Sequence, residues 1–130
     1  MNFIEHVADH LEFLGIGIKA TDEHEGNIHW GNMPDKPDLC ACVFSTDTSY
    51  PGSEKGARIQ ITTRGEVGNW RDPYELACRI TEALVDYEGF LSGDGPDARF
   101  DVVNSAQGMG IDDSGRHVYT SNYIVYYCDY

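Results

Sequence analysis

The residues in this chain whose types and spacing could do chemistry are few, and none completes a site. His6 and His10 stand four apart in a helical pattern, a spacing that suits two metal ligands on one helix face. No third ligand is placed beside them, and a solvated helix flank accounts for both. His24, His29 and His117 are scattered over different segments. Asp112 and Asp113 before Ser114-Gly115 begin like a calcium loop, but the twelve-residue pattern and its closing glutamate are missing. The "GMG" at 108–110 leads into a strand, not into the helix that a phosphate cradle needs. No G-x-S-x-G elbow or Ser/His/Asp order occurs. Cys40 and Cys42 are two apart on a strand-like run, which fits neither a CxxC redox pair nor a zinc knuckle. With Cys78 they read as reduced core thiols. The expectation is therefore a protein with no catalytic residues, no cofactor and no metal.

The elements that would carry these residues are legible from periodicity. Residues 2–14 form an amphipathic helix, with Phe3, Ile4, Val7, Leu11 and Leu14 on one stripe. Asn2 caps it with Glu5 three places on, and Gly15 ends it. Short extended pieces follow at 15–18 and 27–32, around the acidic tip "TDEHEG". The proline-punctuated "MPDKPD" (33–38) is a loop, and the uncharged "LCACVFST" (39–46) is an interior strand. Residues 47–56 have the composition of a loop. "ARIQITTRG" (57–65) alternates, with Ala57, Ile59, Ile61 and Thr63 on one face and Arg58, Gln60, Thr62 and Arg64 on the other. A second helix spans about 73–91, capped by Asp72 with Pro73 at its first position; Leu76, Ile80, Leu84, Tyr87 and Leu91 make its stripe. Strands at 98–106 and 116–128 flank the "QGMGIDDSG" loop as an antiparallel hairpin. The last strand carries large side chains on both faces, so both should be covered. The predicted fold is α+β: one domain over 1–130, a mainly antiparallel sheet backed by two helices.

Composition narrows the function further. The 130 residues include 22 acids against 9 Lys and Arg, a formal charge of −13. Counterion release cannot then drive tight binding to nucleic-acid phosphates. No apolar run approaches the length of a bilayer crossing, and the N-terminus lacks the basic start of a signal peptide, which reads as a cytosolic protein without membrane contact. What is left over is aromatic and loop surface. Tyr50-Pro51 in the long loop, Trp70-Arg71 before the second helix, Arg58 and Arg64 on one strand face, and Tyr123 and Tyr127 on the last strand are candidate partner contacts.

Four stretches resemble one family. The first helix runs into "LGIGIKA", and "IHWGNMP" is a short strand ending in proline. "IQITTRG" precedes the second helix, and "GMGIDDSGRHVYTSNYIVYY" joins a glycine–aspartate turn to an aromatic strand. In this order they resemble the bacteriophage minor capsid proteins of siphovirus neck gene clusters, the tail terminators or tail-completion proteins. The resemblance implies a phage or prophage structural protein without turnover. It would form a ring, usually of six copies, on the head-proximal end of the tail tube. One face would stop polymerisation of the major tail tube protein, and the other would dock the head-completion protein. DNA would pass through only as cargo, and an acidic lumen would repel its phosphates. The protein would then reside in the host cytoplasm during assembly and in the virion neck. Two other readings fit the residues: an acidic inhibitor or nucleic-acid mimic, and a small-molecule-binding α+β domain.

Overall fold

A computed structural model describes residues 2–45 and 55–128. The first helix, α1, spans Phe3–Phe13. The Asn2 side chain accepts the Glu5 N–H at 2.8 Å, as its place before the stripe predicts. Gly15, at φ +80°, turns the chain out of the helix, and its N–H meets the Glu12 carbonyl at 3.0 Å. The return half of the capping box is not made. The Glu5 carboxylate instead pairs with the Lys19 ammonium at 3.1 Å.

Strands β1 (Ile28–Trp30), β2 (Cys40–Ser45) and β3 (Lys55–Val67) follow, then helix α2 (Arg71–Val85). Strand β4 (Glu88–Phe90), a 3₁₀ turn at Leu91–Gly93, and the long hairpin β5 (Asp97–Ile111) and β6 (Arg116–Cys128) complete the order. One six-stranded sheet results, in the order β1-β2-β3-β6-β5-β4. Only β1–β2 is parallel; the other pairs are antiparallel. The α+β expectation holds, with a mixed rather than wholly antiparallel sheet. Of the 15–18 and 27–32 pieces, the first forms no strand; just beyond it, Lys19 makes an isolated parallel bridge to Ile28.

Both helices cover one face of the sheet. α1 lies over β1, β2 and the 3₁₀ turn, and α2 lies over β3, β5 and β6. Val7 and Leu11 from α1 meet Leu76, Ile80 and Leu84 from α2 above Val43, Ile59, Ile61, Phe100, Tyr123 and Val125. The alternation read in "ARIQITTRG" is the reason: Ile59, Ile61 and Thr63 point into this core. The start of α2 sits close against β3, where the Thr63 hydroxyl donates to the Pro73 carbonyl at 2.8 Å. A side chain at Gly65 would meet the Pro73 ring at 2.6 Å, so that approach requires glycine.

Three expectations are corrected. α2 begins two residues early and ends six early. Its first turn is capped by Asn69 rather than Asp72: the Asn69 Oδ1 accepts the N–H groups of Arg71 and Asp72, both at 3.1 Å. Asn69→Ala should therefore cost about 1 kcal/mol in urea unfolding. Its cap role is rejected if that variant unfolds at the wild-type midpoint. The helix stops at Val85 because its last turn has no basic side chain to meet the carbonyl dipoles and holds Glu82, with Asp86 at the C-cap. Gly89, at φ +132°, then takes the chain into β4. Leu91 still reaches the core, from the 3₁₀ turn instead of the helix stripe.

The third correction concerns the hairpin. "QGMG" is strand, not loop, and the connection is the tight turn at Asp112–Gly115. Register shifts along β5 absorb the glycines, with Ala106 at φ +52° and Gly110 at +87°. These are β-bulges, the other structural use of residues that tolerate positive φ. Asp112 Oδ1 accepts the N–H groups of Ser114 and Arg116, both at 2.9 Å, which closes the turn. The N–H of Arg116, ahead of its guanidinium, holds the Asp112 carboxyl below the ordinary aspartate range.

Candidate interaction surface

The face of the sheet away from the helices is only partly covered. The 33–38 loop closes over one end of it, and the clasp is Arg64. Although 4% exposed, its guanidinium donates to four main-chain carbonyls: Pro34 at 2.6 Å, Pro37 at 2.8 Å, Asp35 at 3.2 Å and Asp38 at 3.3 Å. Cys40 and Cys42 are buried on the same face, the first with its thiol 3.5 Å from the Met33 sulfur. Burial pushes the Cys40 thiol up and the Cys42 thiol to about 12, so both are held protonated and unreactive. Further along that face, an amide ladder crosses three strands: Gln60 to Asn122 at 3.4 Å and Asn122 to Asn104 at 2.8 Å. Ile124 and Tyr126 are half-buried there. The expectation that β6 is covered on both sides is thus met at Ser121, Tyr123 and Val125 on the helix face and only in part elsewhere.

The predicted contact residues fall into three groups. Tyr50 and Pro51 lie outside the described residues. Arg64 and Tyr123 are interior and unavailable to a partner. Tyr123 is 1% exposed, and its hydroxyl is 2.6 Å from that of Thr81, which also meets Ser105 at 2.7 Å. This seam ties α2 to the hairpin. Tyr127 is half-buried, stacked on Phe3 with ring centroids 4.2 Å apart, so it anchors the start of α1. Arg58 is exposed on the outer face of β3. Trp70 and Arg71 are exposed too, with the guanidinium over the indole at 5.6 Å.

Trp70 belongs to a larger surface than the sequence reading foresaw. Its ring meets Tyr74 edge-on at 6.4 Å, one helical turn along, and Tyr74 meets Tyr119 at 5.6 Å. Tyr119 pairs with Gly108 across the hairpin. Topology brings the end of β3, the start of α2 and the tip of the hairpin to this same end of the sheet. Val67 there is 65% exposed, Ile111 63%, Met109 58% and Trp70 51%. Two signals could have found it: Trp70 and Tyr74 at i, i+4, and the run Val102–Ile111, which carries no charge in so acidic a chain.

A groove of about 500 Å³ is walled by Glu5, Asp22, His29 and Trp30 among others. Two of its polar side chains, Glu5 and His29, are engaged within the chain. The Lys19 ammonium lies over the Trp30 ring at 5.0 Å while paired with Glu5, and His29 Nε2 meets the Gly26 carbonyl at 2.9 Å. His10 is buried on α1, facing the 3₁₀ turn, and does not act with His6. Among the described residues no three His, Cys, Asp or Glu side chains gather as a metal site. Among the described residues no helix is long and apolar enough to cross a membrane. Compared with protein-family models and with curated proteins, the chain matches none.

Proposed function

We propose that this chain is a structural protein of a phage or prophage, a tail terminator that acts by contact and not by turnover. The observation that carries the reading is the exposed aromatic and aliphatic end of the sheet, rooted on a rigid helix start and a long hairpin. Surfaces of that kind, larger than scattered single residues, mark protein–protein contact. The motif order from "LGIGIKA" to "GMGIDDSGRHVYTSNYIVYY" adds the resemblance to tail-completion proteins. On this reading copies assemble as a ring on the tail tube, the head-completion protein docks on the ring, and the −13 charge keeps passing DNA from sticking.

The test is to add the purified protein to tail tubes from a phage carrying this gene and image their ends. Capped ends and arrested lengthening are expected. Tubes that stay open and grow as before contradict the reading. Tight one-to-one binding to a basic enzyme would favour the acidic-mimic alternative instead, and a bound metabolite would favour the small-molecule alternative.

A further inference from the structure

We infer that the 3₁₀ turn at Leu91–Gly93 is a proton-operated latch on α1, closed over a neutral His10 and released when that ring is charged. Nothing in this latch depends on the tail-terminator reading. His10 is 0% exposed, and the Ser92 N–H donates to its Nδ1 at 2.8 Å. The proton of the neutral ring therefore sits on Nε2, which is buried with no hydrogen-bond partner. The closed contact uses the neutral ring as an acceptor and offers a charged ring nothing. An imidazolium has two donors and no acceptor, so its Nδ1–H would face the Ser92 N–H while Nε2–H stayed unpaired.

The turn is poised for release. Ser92 holds φ +55°, in the left-handed region that a side chain disfavours, and its hydroxyl is also buried without a partner. Among the described residues, His10 Nε2 and Ser92 Oγ are the two side-chain atoms orphaned in this way, and both belong to this contact. The turn closes on itself: the Leu91 N–H meets the Pro96 carbonyl at 2.9 Å, and the Gly95 N–H meets the Leu91 carbonyl at 2.7 Å. It can move as a unit. The strand that leads into it, β4, lies at the end of the sheet and pairs only with β5. Leu91, seated in the core, holds the latch shut, and opening withdraws it to leave an apolar seat beside the charged ring.

The groups around the ring set the direction of the response. Phe13 and Tyr87 lie against it, and the Tyr87 hydroxyl donates to the Phe90 carbonyl of the covering segment. His6, one turn earlier on α1, lies beside Gly95. The acids of the covering segment, Asp86, Glu88 and Asp94, are exposed. Burial lowers the His10 pKa from 6.5 to about 4, and Asp9 on α1 opposes it with a weaker pull. A ring freed of its cover returns to 6.5. The closed state then binds fewer protons than the open one, so the latch is tightest above pH 6.5 and loosens as pH falls towards 4.

Amide hydrogen exchange of the full chain from about pH 7 to 4, corrected for intrinsic rates, tests this. The Leu91, Ser92 and Gly95 amides should exchange ahead of those of β3 and β6, with little dependence on low urea. Their opening constant should rise by up to about tenfold per pH unit below 6.5 and level off near 4. In His10→Asn the rise should vanish. Ser92→Ala keeps the N–H and removes the orphaned hydroxyl, so it should open about threefold less with the same pH dependence. Should His10→Asn misfold, Ser92→Ala and the wild-type pH series carry the test. Turn amides that exchange only together with β3 and β6, opening that ignores pH, or a rise that persists in His10→Asn would each overturn the latch.

Discussion

Replacing Arg64 with methionine is expected to remove about 3 kcal/mol of stability. The guanidinium is buried, and its charge is spread over four carbonyl dipoles of the 33–38 loop. Methionine keeps the aliphatic volume but strips those carbonyls of their donor. Some regain water, since Asp35, Lys36 and Pro37 are exposed, which is why the loss stays below that of a broken interior ion pair. Lysine should restore only a minor part, because one ammonium cannot fork to carbonyls arranged around a planar group. Urea unfolding of wild type, Arg64→Met and Arg64→Lys gives the answer. A loss under about 1 kcal/mol for methionine would mean that the loop is held by other contacts.

The second large effect is pH-dependent and centres on His10. Its ring is fully buried between Phe13 and Tyr87, with centroids 5.9 and 4.3 Å away. Nδ1 accepts the Ser92 N–H at 2.8 Å, so the ring proton of the neutral form sits on Nε2. A second proton would have to go on Nδ1, where it would face that N–H and break the bond. Burial lowers the pKa from 6.5 to about 4, against a smaller opposing pull from the Asp9 carboxylate. The folded state therefore binds fewer protons than the unfolded chain between these values. The contribution is present in full above pH 6.5 and is lost as pH falls towards 4, about 3 kcal/mol in total. His10→Asn retains an acceptor for Ser92 and cannot titrate. It should flatten the fall in stability across that interval relative to wild type, measured by urea unfolding at a series of pH values. Parallel curves for the two proteins would show that His10 is solvated and ordinary.

Much of the fold was legible because local and tertiary preferences agree. Asn2, the α1 stripe and Gly15 all act where the pattern put them, and the inward face of "ARIQITTRG" is the core of β3. The misreadings share a cause. A residue type that permits two structures was assigned the commoner one. The glycines at 108 and 110 suit a loop, but Gly108 pairs with Tyr119 and Gly110 is a bulge residue, which hides Met109 and Ile111 from a reading of the sequence. Leu91 continued a helical stripe in sequence but reaches the same core by a 3₁₀ turn. Arg64 looked like surface because arginine usually is. Its burial depends on a loop some thirty residues away in sequence, whose carbonyls no periodicity reveals. Trp70 was found, but the surface around it exists only once β3, α2 and the hairpin tip are brought together.

That surface is the centre of the functional account, and amide hydrogen exchange addresses it most directly. Exchange compared between dilute and concentrated protein should slow on association in the stretches around Trp70 and between Val102 and Arg116. Protection confined to the acidic 21–25 tip or to the open sheet face around Asn122, or none at any concentration, would contradict the account.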